Sequence, residues 1–151
     1  MRISSENCSV GRALAVVGER WSLLIVREAF DGVRRFQDFR NRLGIASNLL
    51  STRLDTLVSA GVLERVPYQD PGGRRRDEYQ LTERGADLRP VLLALLQWGD
   101  KYLADPAGPS IIPRHLTCDE PVRVVLECTA GHRPLTADAV RRTPGPGALI
   151  S

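Results

Sequence analysis

The chain has 151 residues, of which 21 are basic and 18 are acidic, so its formal net charge is +3. This length, with a charged fraction of 26%, fits one soluble domain with a small appendage. The longest apolar run, residues 91–96, is far shorter than the roughly 20 residues that span a bilayer, which excludes a membrane-spanning protein. Residues 1–11 hold no apolar stretch of signal-peptide length, so we expect a cytoplasmic protein. In that reducing compartment, three cysteines are better interpreted as thiols or metal ligands than as disulfide partners.

The excess positive charge lies in the first half of the chain. Residues 1–82 hold 13 arginines against 10 acidic residues, whereas residues 83–151 hold 8 basic against 8 acidic residues. A surplus this small indicates nucleic acid only weakly, so the positions of the arginines must carry the argument.

Apolar residues at helical spacing predict four helices in the first part of the chain. They cover residues 10–18, 21–30, 37–43 and 48–60. Ser9 and Ser47 are expected as N-terminal caps of the first and fourth helices, and Gly44 and Gly61 as the residues that end the third and fourth. The segment 34–36 is expected to form a short stub of strand.

The predicted fourth helix has one apolar side and one polar side. Its apolar residues fall within about a 100° arc, so they form an inward stripe. They are Leu50, Leu54, Leu57 and Val58. The opposite side carries Asn48 and Thr52, with Ser51 and Arg53 on its flanks. A helix that reads DNA needs such a division, because one side rests on the domain while the other enters a major groove about 12 Å wide.

A hairpin with a basic tip follows. Alternating residues predict strands over 62–69 and 77–81, and the Asp-Pro-Gly-Gly run at residues 70–73 is a strong turn signal. Three arginines come directly after this turn, namely Arg74, Arg75 and Arg76. A last long helix is predicted from residue 82 to residue 103.

This order of elements predicts a winged helix-turn-helix domain, a mostly α (α+β) fold with a two-stranded wing, a long C-terminal helix and a small C-terminal extension. We expect the wing to contact a minor groove, whose negative potential favours guanidinium groups, and the arginines before the third helix to contact phosphates. The candidate DNA-binding residues are Ser47, Asn48, Ser51, Thr52, Arg53, Arg34, Arg35, Arg74, Arg75 and Arg76. Taken singly, a polar helix face or an arginine-rich turn is more typical of solvated surface, and it is their combination that favours double-stranded DNA as the partner.

A change of composition divides the chain. Residues 1–104 are predicted to form the winged helix-turn-helix DNA-binding domain, residues 105–113 a linker, and residues 114–151 a small C-terminal extension whose role the sequence does not indicate. Within the extension we expect a strand over 122–128 and a short helix over 136–142.

The extension also holds two pairs of metal-ligating residue types. They are His115 with Cys118, and Cys128 with His132. Two imidazoles and two thiolates could form a closed tetrahedral zinc site, and a segment too short to build a core would be stabilised by one. Against this, the C-x3-H spacing is unusual and nearby arginines would oppose a cation, so a small hairpin with two uninvolved thiols is the favoured alternative and no cofactor is expected.

Several stretches together resemble the HxlR-type winged helix-turn-helix transcriptional regulators, which are relatives of MarR. The resemblance covers about residues 7–104. It rests on Val-Val-Gly-Glu-Arg-Trp-Ser-Leu-Leu-Ile at 16–25, Arg-Phe-Gln-Asp-Phe at 35–39, Leu-Ser-Thr-Arg-Leu-Asp-Thr-Leu at 50–57 and Tyr-Gln-Leu-Thr-Glu-Arg-Gly at 79–85. It implies a homodimer joined through the terminal helices, with one recognition helix and one wing on each half-site of an inverted-repeat operator.

The resemblance also makes Cys8 a candidate redox sensor, since several members of the family respond to quinones, aldehydes or hypochlorite through a cysteine at the start of the first helix. A helix N-terminus with Arg12 one turn further on would favour the thiolate. A small-molecule or oxidant effector is therefore one expectation for this chain, and inert packing of the thiol is its alternative.

Two other classes of function stay open at this point. One is a zinc-dependent enzyme with ligands from the extension, although the H-x-E and C-x2-C elements of such enzymes are missing, so we expect no catalysis. The other is a non-DNA-binding interaction module that uses its long helix only to dimerise, against which the arginine tip argues.

Overall fold

The computed structural model describes residues 7–149. Within this range the chain forms six α-helices, one antiparallel pair of strands and a short 3₁₀ turn. Their bounds are α1 Ser9–Val17, α2 Arg20–Phe30, α3 Phe36–Leu43, α4 Ser47–Ser59, β1 Leu63–Gln69, β2 Arg75–Leu81, α5 Glu83–Ala86, α6 Arg89–Tyr102, and the 3₁₀ turn Ala137–Ala139. Among the helices of residues 7–149, none combines the length and apolar character needed to cross a bilayer.

The described chain folds as two compact units, of which one comprises residues 7–89 together with Leu149 and the other spans Pro90–Ala148. Helix α6 therefore groups with the residues that follow it. The sequence predicts a different division, into residues 1–104, 105–113 and 114–151. That division concerns which parts of the chain fold independently, and it stays a prediction.

The four predicted N-terminal helices are confirmed, and they enclose the core of the first unit. The apolar stripe of α4 is completely buried at Leu50, Leu54 and Leu57. Ile25 of α2 and Phe39 of α3 are equally inaccessible to water. Burial of each such side chain favours folding by about 1.5–3 kcal/mol, so this cluster fixes how α3 and α4 sit on α2.

The helix ends agree with the sequence, but the two predicted caps are wrong. Gly44 and Gly61 end α3 and α4 with positive φ values of 63° and 74°, which glycine adopts without strain. Ser9 and Ser47 are instead the first helical residues, and Cys8 and Ala46 hold the cap positions. The carbonyls of these two residues already accept helical hydrogen bonds, from Arg12 N at 3.0 Å and from Leu50 N at 2.9 Å, so each helix starts one residue earlier.

The hairpin is confirmed, with antiparallel register from Leu63 opposite Leu81 to Gln69 opposite Arg75. Strand β2 begins two residues earlier than predicted, which places Arg75 and Arg76 in the strand. The predicted strand stub at 34–36 is wrong. Phe36 opens α3, and a backbone hydrogen bond of 2.7 Å from Tyr79 N to Arg34 O ties the segment to β2.

The single long helix predicted from residue 82 is wrong, because α5 and α6 are separate helices with a turn at residues 87–88. Pro90 explains the break. Proline has no N–H to donate to the carbonyl four residues earlier, and it is tolerated only in the first turn of a helix. Thr82 does begin α5, since its Oγ1 accepts a 3.1 Å hydrogen bond from Gly85 N.

The regular elements predicted in the extension are also wrong. Instead of forming a strand, residues 122–128 hydrogen-bond to separate parts of the chain: Val122 N donates to Pro113 O, and Leu126 O accepts from Leu135 N. Instead of a helix over 136–142, Ala137–Ala139 forms one 3₁₀ turn. Short isolated segments gain too few hydrogen bonds to offset the cost of nucleating a helix.

Candidate nucleic-acid interface

Helix α4 is held by contacts on its inner side. Its three fully buried leucines pack on α2 and α3, and Ile45 in the preceding turn is only 3% exposed. Helix α3 is tied to α2 by Arg42, whose Nε lies 2.6 Å from Oε2 of the buried Glu28. The helix pair around Gly44 is therefore rigidly mounted, and the N-terminal half of α4 faces solvent.

Four of the five residues predicted on α4 lie together on this exposed side. They are Ser47, Asn48, Ser51 and Thr52. Thr52 Oγ1 donates a 3.0 Å hydrogen bond to Asn48 O, which leaves its oxygen free to accept. Within the described part of the chain, the side chains of Ser47, Asn48 and Ser51 make no hydrogen bond of their own, so they are available to a ligand.

Arg53 is the exception. Its side chain is 22% exposed, and its Nη2 lies 3.4 Å from Oε1 of Glu19, the residue that precedes α2. The guanidinium thus turns away from the exposed polar side and braces α4 against the start of α2. Its spacing in the sequence could not reveal this, because the partner is 34 positions away.

The wing tip is organised by Asp70, which the sequence predicted only as part of a turn. Its Oδ1 accepts hydrogen bonds from Gly72 N at 3.0 Å and Arg74 N at 2.9 Å, and its Oδ2 accepts one from Arg76 Nε at 2.9 Å. The Arg76 side chain and the Arg74 N–H hold the pKa of this carboxyl below its usual value. An ionised Asp70 therefore closes the turn and restrains Arg76.

Arg74 and Arg75 are exposed, and they form no ion pair within residues 7–149. Their guanidinium groups are thus free at the tip, whereas that of Arg76 is shared with Asp70. The turn of Asp followed by Gly two residues later was the signal that could have identified Asp70 as the clamp.

The two arginines before α3 are also exposed, but they differ in their contacts. Arg34 Nη1 lies 3.7 Å from Glu78 Oε1 on β2. The Arg35 guanidinium stacks 4.4 Å from the centre of the Tyr68 ring, which holds the group in place, and its N–H groups make no hydrogen bond or ion pair to any other described residue. Tyr68 was missed by the sequence analysis, which assigned it only to an alternating strand.

Between the start of α3 and the wing lies an open groove of about 630 Å³, lined by Arg35, Tyr68, Asp70 and Arg76 among others. It connects the exposed arginines on both sides. Apart from Arg53, the predicted helix and wing residues lie on the surface of one compact unit rather than in its packed interior.

Cys8 is half-buried at the cap position of α1, with a free thiol. The exposed side chains of Val10 and Leu14 follow it on the same helix, with 67% and 57% of their surface accessible.

The two predicted metal pairs form separately. His115 Nδ1 lies 3.0 Å from Cys118 Sγ, and His132 Nδ1 lies 3.2 Å from Cys128 Sγ. However, the described residues contain no group of three or more His, Cys, Asp or Glu side chains positioned to hold a metal ion. The structure therefore does not bring the four predicted ligands together into a closed zinc site.

A buried helix pair that exposes short polar side chains, beside a two-stranded wing with arginines at its tip, defines a winged helix-turn-helix protein. Comparison with known proteins gives the family. The model of the HxlR-like helix-turn-helix family matches residues 16–106, and the chain belongs to this family of transcriptional regulators.

Relatives in sequence and in structure agree with this assignment. The chain is 52% identical to the HTH-type transcriptional regulator Rv3095 of Mycobacterium tuberculosis, over 94% of this chain and 89% of the relative. The crystal structure of PA1607, described as a candidate transcription factor, superposes with a TM-score of 0.82 at 38% identity, over 92% of this chain and 96% of that one. The redox regulator HypR in its oxidised form superposes with a TM-score of 0.58 at 30% identity, over 65% of this chain and all (100%) of HypR.

Proposed function

We propose that this regulator binds a specific inverted-repeat operator as a homodimer and that α4 reads the major groove. The observation that carries the proposal is the exposed polar group of Ser47, Asn48, Ser51 and Thr52, directly opposite three fully buried leucines. Asn48 has particular value there, since a free carboxamide offers a donor and an acceptor together and can pair with adenine through both.

The arginines supply contacts that fix register and orientation. Arg74 and Arg75 enter the adjacent minor groove or lie along its phosphates, and Arg35, held on Tyr68, contacts the backbone beside α3. Arg34 shares its charge with Glu78, so its phosphate contact is weaker. For Arg53 we propose a positioning role through Glu19, because its guanidinium faces that carboxylate rather than the exposed side of α4.

Exposed apolar residues on both terminal helices support a homodimer. In α6 they are Val91, Leu95, Trp98 and Tyr102, with 44% to 60% of each side chain's surface exposed. A monomer seldom leaves such a stripe in water, and contiguous apolar patches usually mark interfaces. A twofold dimer then presents two α4 helices to half-sites about one helical turn, roughly 34 Å, apart.

Leu95→Glu tests the dimer directly. A buried carboxylate in a subunit interface is costly, so sedimentation should show a folded monomer with weakened operator binding. Leu116→Glu is the matched control, because Leu116 is 100% exposed and its charge should change neither property. An unaltered dimer in Leu95→Glu would contradict the use of this helix face.

We further propose that Cys8 senses oxidants or electrophiles. Its place at the start of α1, next to exposed apolar residues of that helix, puts any adduct beside the proposed dimer surface. The likeness to HypR, a redox regulator, supports the same role.

The deciding experiment is selection of bound sites from random duplex DNA by the full chain, repeated after treatment with a quinone and with Cys8→Ser. We expect an enriched inverted repeat bound by two chains, lost on quinone treatment in the native protein and retained in Cys8→Ser. No enriched sequence would overturn the DNA-binding proposal, and equal quinone sensitivity in Cys8→Ser would overturn sensing by that thiol.

A further inference from the structure

Helix α6 has two opposite faces, and the proposed function assigns a role to only one of them. The stripe assigned to the dimer is exposed. The residues on the other side, about 180° away at 100° per residue, face residues 109–124, which belong to the predicted linker and the start of the extension. They are Leu93, Leu96, Gln97 and Asp100.

A cavity of about 320 Å³ lies between this second face and residues 109–124. Leu93 and Leu96 form its helical wall, and Ile111, Ile112 and Val122 form the wall opposite. Ile111 and Ile112 keep 53% and 50% of their surface exposed, so the apolar lining is only partly used by the protein's own packing. The volume is at the lower end of the range, about 300–1,000 Å³, in which proteins bind small molecules.

The extension is fixed against α6 by a reciprocal pair of hydrogen bonds. Gln97 Nε2 donates to Val124 O at 3.1 Å, and Gln97 Oε1 accepts from Val124 N at 2.8 Å. Pro109 and Pro113 stiffen the facing segment. Both polar ends of the Gln97 amide are thereby used, so this side chain shapes the cavity and is not itself available to a ligand.

Two charged residues line the cavity, and they are not equivalent. Asp100 is half-buried in the last turn of α6, and across residues 7–149 its carboxylate has no hydrogen-bond or ion-pair partner. The partial negative charge of a helix C-terminus adds to that of the carboxylate. Arg123 is exposed to water, which screens its charge. Lys101 holds its ammonium 5.1 Å from the centre of the Tyr102 ring, on the other side of the helix.

We propose that this cavity is an effector site for a small apolar molecule with a protonated amine. The apolar body contacts the leucine and isoleucine walls, and the ammonium pairs with the Asp100 carboxylate. The apolar walls stabilise the bound ligand in proportion to the apolar surface that binding removes from water. A charge-assisted hydrogen bond to the half-buried Asp100 carboxylate makes the site selective for a cation. Its regulatory effect rests on the proposed function, because the ligand acts on the helix whose opposite face joins the dimer.

The test compares three probes of one shape by titration calorimetry with the full chain: 2-naphthylmethylamine, 2-naphthalenemethanol and 2-naphthoate. We expect saturable binding of the amine, at one site per chain, and affinities for the alcohol and the carboxylate that are weaker by about tenfold or more. Equal affinities, or tighter binding of the carboxylate, would overturn the ligand class. No saturable binding of any probe would overturn the site.

Three variants locate the binding. Asp100→Asn keeps the volume and removes the charge, so the amine should lose its advantage over the alcohol. Ile112→Trp places a bulky ring in the cavity from a half-exposed position, so all three probes should fail to bind. Glu120→Gln is the matched control, because it removes an exposed carboxylate of the same unit outside the cavity and should change nothing. Unchanged binding in both Asp100→Asn and Ile112→Trp would overturn the site.

Operator binding is measured separately. Saturating amine should change the operator Kd by about fivefold or more, and an unchanged Kd would overturn the regulatory role. A chain that binds the amine through Asp100 but binds no DNA would keep the site and overturn the proposed function. A chain that binds its operator but not the amine would keep the proposed function and overturn the ligand site.

Discussion

Removing one guanidinium from the wing tests whether the proposed interface makes its phosphate contacts where the structure exposes them. Four arginines in each protomer are exposed and positioned for such contacts, namely Arg34, Arg35, Arg74 and Arg75. If each neutralises one phosphate, a dimer releases about eight counterions, and the slope of log Kobs against log salt is about −7. Arg75→Ala removes one contact per protomer, so the slope should become shallower by about 2 units.

The assay is fluorescence anisotropy of a labelled operator duplex at several KCl concentrations, with a scrambled duplex beside it. Arg75→Ala should weaken binding to both duplexes by a similar factor, because phosphate contacts carry no sequence information. Arg142→Ala is the matched control, since it removes the same charge from an exposed residue of the extension. A slope unchanged in Arg75→Ala, or reduced equally in both variants, would refute the placement of the wing on DNA.

Three further predictions concern recognition, packing and pH. Asn48→Ala should weaken the free energy of binding to the operator by about 1–3 kcal/mol and that to a scrambled duplex only slightly, as measured by anisotropy. Ser59→Ala, at the far end of α4, should alter neither binding free energy. Leu54→Ala should lower the free energy of unfolding in urea by about 2–5 kcal/mol, because Leu54 is 0% exposed, while Leu116→Ala should have almost no effect at 100% exposure. The lowered pKa of Asp70 means that its contribution to stability is present above its unfolded pKa near 3.8 and is lost as pH falls through the lower folded value. The difference in urea midpoint between the native chain and Asp70→Asn should therefore be constant near neutral pH and shrink below pH 4; a difference that grows with acid would contradict the clamp.

The elements that sequence predicted well are those whose signals are local. Helices α1 to α4 follow from apolar spacing together with glycines that end them, and the hairpin follows from alternation around one turn. The break before α6 was also encoded locally, in Pro90, but the long apolar pattern on either side of it outweighed that signal. The caps shifted by one residue because backbone carbonyls, which have no sequence signature, accept the first helical bonds.

The parts of the site that sequence missed depend on contacts between distant positions. Arg53 has the spacing of a helix-face residue, yet Glu19 draws it toward α2. Asp70 restrains Arg76 across the turn, and Tyr68 holds Arg35, so three of the predicted cationic residues differ in how freely they can move. Composition alone treats them as equal charges, whereas the structure distinguishes guanidinium groups that are free from those already engaged.

The same distinction applies to α6, which has more apolar surface than a peripheral helix needs. Its periodicity predicts one long apolar helix, but it does not distinguish the face that meets the extension from the face that we propose joins a second subunit. One face meets the extension through Gln97 and Val124, and the other remains exposed. A helix that contacts two surfaces transmits a change from one to the other only if both contacts depend on its position. On the extension side, the two Gln97–Val124 hydrogen bonds make the contact depend on where α6 lies. The residues proposed to contact DNA can therefore be predicted from local sequence pattern, whereas the proposed response to a ligand depends on which surfaces α6 contacts.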